Sequence, residues 1–195
     1  MNDFYNEKNS IYCYPDSNVL KNKLDIRDSN KLFKLEKQIV MAKLYVLRQD
    51  ESEYNLDKDR FLYIHQFLFG DIYDFAGKYR KENVIKGNFR FAEFEFIDEQ
   101  LDYLMNKLKK EKYLQGLDKK ELANRLAFYM SELNVLHPFR DGNGRTIREF
   151  IREIALKCGY IFDLRESTPQ EMFNATVKSV FDTQELEQVV LKCLK

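Results

Sequence analysis

The chain has 195 residues, a length that suits one domain with a substantial buried core. Apolar residues make up 44% of the sequence and include sixteen Phe and twelve Tyr, which is enough for a packed interior. Acidic and basic residues number 32 each, and this balance argues against a broad electrostatic surface for nucleic acid or an anionic membrane. Three widely spaced cysteines and a polar N-terminus without a signal-type apolar segment lead us to expect a cytoplasmic protein with reduced thiols.

Helical spacing of apolar residues dominates the chain after residues 1–28, which we interpret as an irregular N-terminal arm. The predicted helices cover residues 30–48, 57–69, 97–112, 119–133, 144–158 and 169–180, followed by a last apolar stretch at 186–194. No apolar run approaches the roughly 20 residues that cross a bilayer. His65 lies in an apolar stretch of the second helix, so we interpret it as a core histidine and not as a ligand. The pattern predicts a mainly α domain over residues 29–195.

One segment, 83-NVIKGNFRFAEFEF-96, departs from helical spacing. Phe89 and Phe91 alternate with a polar residue, and a second alternation of phenylalanine and glutamate follows. With residues 86–88 as the turn, this pattern predicts a short β-hairpin over about 83–96. The expected architecture is therefore a helical bundle with one β-hairpin.

The stretch 135-VLHPFRDGNGRTIR-148 concentrates polar chemistry in a short loop. Pro138 prevents simple continuation of the helix before it, which we expect to end near Asn134. The next helix is predicted to begin near Gly144, so residues 141–144 form a tight loop that leads into a helix N-terminus. The first amide groups of a helix have no intrahelical acceptor and the dipole there is positive, which favours an anion. Glycines in the loop allow a phosphate to approach the backbone closely.

The charged side chains around this loop suit a polyphosphate. Arg145 and Arg148 are three residues apart on the first helical turn, so both can bind phosphate oxygens from one face. Asp141 offers a hard carboxylate for Mg²⁺, the usual companion of a polyphosphate. His137, with an ordinary pKa of about 6.5, suits a general base near neutral pH. Each feature alone is common in structural roles, and their ordered combination is what indicates a site.

At every fixed position, residues 137–148 match the pattern H-x-F-x-[D/E]-G-N-G-R-x-x-R, and on this resemblance the chain is identified as a member of the Fic family. Supporting resemblance extends to residues 19–24, to residues 64–69 and 72–77, to Arg80 and to Glu132-Leu133-Asn134. The family fold is a helical domain with one β-hairpin, the flap. The resemblance thus implies a Fic-domain helical bundle whose flap covers about 83–96 and whose catalytic loop covers 137–148.

The resemblance implies a Mg²⁺-dependent protein adenylyltransferase, with Mn²⁺ as an alternative ion, that transfers AMP from ATP to a Tyr, Thr or Ser hydroxyl of a target protein or of itself. It implies that His137 is the base, that Asp141 holds the metal and that the Asn143 side chain helps to form an anion hole. The implied ATP-binding residues are Lys86, Gly87, Asn134, Gly142, Asn143, Gly144, Arg145 and Arg148. The flap residues implied to dock the target are Val84, Ile85, Asn88 and Phe89.

Many Fic proteins carry an inhibitory [S/T]-x-x-x-E-[G/N] helix, whose glutamate pairs with the second motif arginine, here Arg148. Thr183 and Glu187 have this spacing, but Gln188 follows them, so we expect an ordinary helix there and no inhibitory segment. A separate antitoxin-type chain that supplies the glutamate stays open, as does self-association into a homo-oligomer. The alternatives are transfer of UMP or GMP, a bifunctional enzyme that also removes AMP, and a non-catalytic anion-binding module. Bacterial relatives of this compact type suggest a topoisomerase subunit as a target.

Overall fold

The computed structural model describes residues 10–87 and 89–195, so Asn88 of the predicted flap turn and residues 1–9 of the arm lie outside the described residues. Within the described ranges the helices are α1 (Ser29–Gln49), α2 (Lys58–Phe69), α3 (Ile97–Lys110), α4 (Lys119–Leu136), α5 (Asn143–Lys157), α6 (Pro169–Lys178) and α7 (Gln184–Cys193). Two short strands, β1 (Ile85–Lys86) and β2 (Phe89–Arg90), pair antiparallel. The mainly α prediction is confirmed, and no described helix is long and apolar enough to cross a membrane.

Side-chain caps determine where several helices begin. Asp28 and Asp57 precede α1 and α2, and each accepts a hydrogen bond from the amide three residues further on. At the start of α4, Asp118 accepts the Glu121 amide while the Glu121 side chain returns to the Asp118 amide. Caps of this kind contribute about 1 kcal/mol each because they satisfy amides that have no intrahelical acceptor.

The core forms around α4, which packs against α5 and α7, while α2 packs against α1 and α5. Phe61 of α2 lies at the centre of an aromatic cluster, with ring centroids 5.5 Å from Phe139 and 5.3 Å from Phe150. All three rings are buried. Since Phe139 belongs to the motif loop and Phe150 to the helix after it, the cluster anchors both to α2. Phe139 therefore points into the core.

Two buried glutamates of α5 form ion pairs with the preceding helices. Glu153 accepts hydrogen bonds of 2.6 and 3.0 Å from Arg60 of α2. Glu149 accepts hydrogen bonds from Arg48 of α1, the shortest at 2.6 Å, and from Arg152 at 2.7 Å. Burial raises the pKa of Glu153, and the contact with Arg60 opposes this shift. Such two-point contacts offset the desolvation of the carboxylates, and they fix the orientation of α5 relative to α1 and α2.

The end of α4 differs from the sequence prediction. The helix continues through Leu136, two residues beyond the expected end at Asn134, and His137 closes it in a left-handed conformation with φ 47° and ψ 58°. Pro138 explains why the helix stops, because the residue before a proline is disfavoured in the right-handed α region. The proline places no such restriction on residue 136, so the helix can extend to it.

The hairpin is shorter than the predicted span of residues 83–96. Its register pairs Ile85 with Arg90 and Lys86 with Phe89. Residues Phe94–Phe96 form a 3-10 turn and not a strand. The reason is local, since the Asn83 side chain accepts the Phe94 amide at 3.0 Å and donates to the Glu93 carboxylate. These contacts turn the chain out of the sheet, although the alternation of phenylalanine and glutamate resembles a strand.

Candidate active site

His137 is held at the C-terminal end of α4 by stacking and by a main-chain contact. Its ring stacks on Phe91 with 3.8 Å between centroids, and Nδ1 lies 3.3 Å from the Asn134 carbonyl oxygen. In the tautomer that this carbonyl selects, Nδ1 donates its proton and Nε2 carries the lone pair. Burial lowers the pKa of His137 to about 3, the Asn134 carbonyl opposes this shift, and nearby positive charges reinforce it. The imidazole is therefore neutral at neutral pH and able to accept a proton.

Arg80 connects the base of the flap to this histidine. The buried guanidinium donates through Nε to the His137 carbonyl at 2.7 Å and through Nη2 to the Leu136 carbonyl at 3.3 Å. On the flap side it donates to the carbonyls of Glu82 and Ala92. One side chain thus satisfies carbonyls at the end of α4 and holds the flap beside His137. Sequence reasoning placed Arg80 only in a region of family resemblance and gave it no role.

The loop before α5 depends on a glycine in a left-handed conformation. Gly142 has φ +81°, and a Cβ atom there would lie 2.5 Å from the Phe69 ring and 3.1 Å from Nε2 of His65. The left-handed region is costly for any residue with a Cβ. Both the backbone and the two aromatic neighbours therefore require glycine at this position.

The His65 side chain holds the loop by a contact with the loop's main chain. Its Nδ1 accepts the Gly77 amide at 2.8 Å, so the proton resides on Nε2, which lies 2.8 Å from the Asp141 carbonyl oxygen. The ring is fully buried and stacks on Phe139 at 3.7 Å. The prediction of a core histidine is confirmed, and the structure adds that this histidine positions the motif loop. Burial lowers the pKa of His65 to about 3, the Asp141 carbonyl opposes the shift, and the ring stays neutral.

The side chain of Asn143 is not directed towards an anion, although the family resemblance implies that it helps to form an anion hole. It is buried, and its amide group accepts the Phe139 N–H at 2.9 Å and donates to the Phe139 carbonyl at 2.7 Å. Both polar atoms therefore close the loop on itself. The Gly142 N–H donates to the Asp141 carboxylate at 2.6 Å. The amides of Asn143 and Gly144 remain at the start of α5, where an anion can accept from them.

The two motif arginines have different surroundings. Arg145 donates to Glu36 at 2.5 Å, lies 3.9 Å from Asp141 and covers the Phe69 ring at 4.6 Å. Arg148 is half-buried and has no carboxylate partner among the residues that the structure describes. Burial lowers the pKa of Arg148 to about 10, and the positive charge of Arg145 adds to this shift. An uncompensated, partly desolvated cation next to a helix N-terminus makes a site for an anion.

Asp141 is partly exposed at the mouth of the loop. One carboxylate oxygen accepts the Gly142 amide, and within the described ranges no hydrogen bond reaches the other oxygen. No group of three His, Cys, Asp or Glu side chains in these ranges is arranged to hold a metal. A Mg²⁺ ion that is shared with substrate phosphates needs only one or two carboxylates, so Asp141 fits such an ion together with a bound nucleotide.

The predicted flap residues are brought close to the motif, and they differ in exposure. The Lys86 ammonium lies 5.2 Å above the Phe173 ring of α6, and its charge contributes to the low pKa of His137. Gly87 is exposed in the turn with φ +60°. The Val84 side chain is buried, so it can present only its main chain to a partner. Ile85 and Phe89 are half-buried.

The residues with inhibitory spacing lie elsewhere. Thr183 precedes α7 without forming a side-chain cap, and the Glu187 carboxylate accepts a hydrogen bond from Asn124 at 2.9 Å. No contact between Glu187 and Arg148 occurs in the described part of the chain. The structure therefore agrees with the expectation that residues 183–187 begin an ordinary helix.

Glu36 also belongs to this site and was not predicted. It occupies a core position of α1 between Leu32 and Val40, four residues from each. A charged residue in an apolar stripe is a usable signal, because a buried carboxylate requires a partner. The sequence does not show that the partner is Arg145.

Gly142→Ala should destabilise the fold more than the same change at a glycine with free space. Gly159 has φ +87°, and nothing lies within 4 Å of the point where a Cβ atom would stand, so Gly159→Ala measures the left-handed backbone alone, at about 1 to 2 kcal/mol. Gly142→Ala adds overlap with Phe69, which costs about 1 to 3 kcal/mol more. Urea unfolding of both variants measures the difference, and equal losses would contradict the steric role of Gly142.

The two histidines of the chain predict how its stability depends on pH. Burial lowers the pKa of His65 and His137 to about 3, against an ordinary value of 6.5. Above pH 6.5 neither state binds these protons and the stability is fully present. As pH falls towards 3, the unfolded chain binds them and the folded chain does not, so the free energy of unfolding decreases.

The His137→Ala variant separates these contributions. At about pH 5.5 its plot of unfolding free energy against pH should have a slope smaller by about one bound proton than that of the wild type. Urea unfolding of both untagged chains between pH 7 and 5 gives the two slopes, and the carboxylates shared by the chains cancel in the difference. Parallel slopes would mean that His137 is accessible to protonation in the folded state.

Known proteins resemble this chain in sequence. Residues 55–155 match the Fic/DOC family. The chain is 36% identical over 188 residues to Protein adenylyltransferase VbhT of Bartonella schoenbuchensis, an alignment that covers 96% of this chain and 39% of VbhT. It is 34% identical to Probable protein adenylyltransferase Fic of Escherichia coli, with 82% of this chain and 79% of that protein covered. The chain thus spans well under half of VbhT and most of the Escherichia coli protein.

Solved structures resemble it in fold. The BepC protein of Bartonella tribocorum, a VirB-translocated effector with bound AMPPNP, has a TM-score of 0.89 at 25% identity, covering 94% of this chain and 96% of that chain. The N-terminal Fic domain of a VirB-translocated Bep effector from Bartonella quintana, with bound ADP, has a TM-score of 0.88 at 25% identity, with 94% of each chain covered. The sequence match includes the whole loop 137–148, and the chain therefore belongs to the Fic/DOC family, as its motif predicts.

Proposed function

We propose that this chain is a protein adenylyltransferase, which transfers AMP from ATP to a hydroxyl group of a target protein. The observation that carries the proposal is the placement of Arg148, a half-buried cation without an acidic partner among the described residues, on the helix that follows the neutral imidazole of His137. The names of VbhT and of the Escherichia coli relative support the activity. The AMPPNP and ADP in the two Bartonella structures support a nucleotide as the substrate.

The phosphates would be seated by the start of α5. Arg148 would bind the terminal phosphate, and the amides of Asn143 and Gly144 would donate to the phosphates nearer the loop. Arg145, fixed by Glu36, would neutralise charge on the group that is transferred. Transfer of this type depends mainly on positioning and on charge neutralisation, and these residues supply both.

His137 would then act on the attacking hydroxyl. Its Nε2 takes the hydroxyl proton while the oxygen forms a bond to the α-phosphorus. The bond from that phosphorus to the bridging oxygen breaks, and pyrophosphate leaves. The Asn134 carbonyl keeps the ring in the required tautomer. Asp141 would hold Mg²⁺, or Mn²⁺ in its place, and the ion would neutralise charge on the phosphates.

His137→Ala should abolish transfer while nucleotide binding persists. Removal of a general base costs on the order of 10² to 10⁴ in rate, and the phosphate contacts of α5 are left in place. Incubation with each labelled nucleoside triphosphate and a cell lysate measures transfer and shows which nucleotide is used. Mass spectrometry of the labelled peptides then identifies the target and the modified side chain. A topoisomerase subunit is the first target to examine, and self-modification is visible in the same experiment. Undiminished transfer by His137→Ala would remove the histidine from this role.

We infer that the flap aligns the target segment by main-chain pairing. β1 and β2 form a two-stranded sheet, so each strand has an outer edge, and Phe91, which follows β2, stacks on the His137 ring. An added strand would pair through backbone groups with little dependence on its sequence. The half-buried Ile85 lies at one such edge.

Ile85→Pro should reduce modification of the target more than affinity for ATP, because proline removes a main-chain donor from the edge. Ile85→Ala is the matched control, since it shortens the same side chain and keeps the N–H group. Target labelling and ATP binding by calorimetry give the two quantities. Equal losses of both in Ile85→Pro would favour a flap that only covers the core.

We propose that, if an inhibitory glutamate regulates this site, it is not supplied by residues 183–187. Glu187 contacts Asn124, and no carboxylate in the described ranges reaches Arg148. A small antitoxin-type chain could supply the carboxylate, and a homo-oligomer is a second way to regulate the site. The family resemblance implies that removal of AMP requires that glutamate, and no carboxylate of the described residues pairs with Arg148, which favours transfer. A strong increase in transfer by Glu187→Gly would reverse this assignment.

A further inference from the structure

A buried carboxylate on α1 contacts an arginine in the first turn of α5. This carboxylate lies outside residues 55–155, which are the residues that match the family. Glu36 lies on the buried face of α1. One of its oxygens accepts a hydrogen bond from Nη1 of Arg145 at 2.5 Å, and the other accepts the hydroxyl of Tyr73. Two donors from two distant segments therefore converge on one carboxylate.

The Tyr73 hydroxyl and the Arg145 guanidinium both keep their protons and therefore act only as donors to Glu36. Burial raises the pKa of the Tyr73 hydroxyl, and the charge of Glu36 raises it further, so this group keeps its proton. The guanidinium is the only charged partner that the described residues offer to Glu36. Since a buried carboxylate is unfavourable without a paired charge and satisfied lone pairs, the Glu36 site is stable only with Arg145 in place.

The contact also restricts Arg145. The guanidinium lies over the Phe69 ring at 4.6 Å, and Glu36 occupies Nη1. Arginine has five N–H donors in a rigid planar group, so occupation of one nitrogen leaves others for phosphate oxygens. A long side chain that is ordered before the substrate binds loses little further freedom when the phosphates arrive.

We propose that Glu36 is a positioning residue that, with Tyr73, holds the Arg145 guanidinium in the orientation in which it contacts the phosphates of the nucleotide. The proposal rests on the adenylyltransferase function for its effect on rate, but the restraint on Arg145 exists without nucleotide. The competing explanation is a purely structural ion pair that attaches α1 to the rest of the domain, like the pair of Arg60 and Glu153.

Two matched variants distinguish positioning from structure. Glu36→Gln removes the charge beside Arg145, and Glu153→Gln removes the charge of another buried glutamate, which pairs with Arg60. We expect Glu36→Gln to lower kcat/KM for AMP transfer on the order of tenfold to a hundredfold, the scale of small misplacements of a reacting group. Glu153→Gln should lower the melting temperature and leave kcat/KM near the wild-type value. Equal activity in the two variants, or a gain in Glu36→Gln, would overturn the proposal.

A double-mutant cycle tests whether Glu36 acts through Arg145. In the Arg145→Ala background, Glu36→Gln should cause no further loss of kcat/KM, because the group that it positions is absent. The same double-mutant cycle can be measured on the dissociation constant of ATP, which does not require transfer. If the chain binds ATP but does not transfer AMP, the proposed function is refuted, and the cycle still tests the role of Glu36. Independent, multiplicative losses would show that Glu36 does not act on Arg145.

The restraint can also be observed directly in the nucleotide-free chain. The guanidinium protons of Arg145 should give resolved NMR signals in the wild type and averaged signals in Glu36→Gln. Tyr73→Phe keeps the carboxylate and should cause a smaller change in the same direction, which provides a readout if Glu36→Gln does not fold. Unchanged Arg145 signals in the folded variants would overturn the proposal whatever the chain transfers.

Discussion

The left-handed turn at Gly142 is the constraint on which the rest of the site depends. It lets the chain leave a buried helix end and begin α5 within a few residues, so that the first turns of α5 carry Arg145 and Arg148, whose charges act on one another. The Phe69 ring and the His65 imidazole lie directly against the turn, and His65 also binds the Asp141 carbonyl. A neutral core histidine thus determines where the motif backbone lies, which connects acid stability of the fold to the geometry of the loop.

The charges around α5 divide into compensated and uncompensated ones. Glu149 and Glu153 pair with arginines and fix the helix, and Glu36 pairs with Arg145. Arg148 has no such partner in the described residues, so the local field stays positive at the point where a terminal phosphate would lie. None of these three carboxylates is free to complete this balance at Arg148, because each is already paired with another arginine.

The sequence predicted what depends on local spacing and missed what depends on contacts between distant segments. The helices and the loop follow from apolar periodicity, proline and glycine, and the family follows from residues 137–148. The shorter hairpin depends on Asn83 bonding to Phe94, which no periodicity reveals. Glu36 and Arg145 are 109 residues apart, so only the tertiary structure joins them. The buried amide of Asn143 likewise looks, in the motif alone, like a group that binds substrate.

Arg80 fixes the position of the flap relative to the His137 imidazole, because it is hydrogen-bonded to both segments. Its guanidinium binds carbonyls of Glu82 and Ala92 at the base of the flap, and it binds the His137 carbonyl at the end of α4. A strand that pairs with the flap would therefore lie at a set distance from Nε2, whatever its side chains are. Under the proposed function, this geometry selects a target by whether its backbone can pair with the flap and bring a hydroxyl to the imidazole. Sequence recognition of the target would then have to come from surfaces beyond the flap.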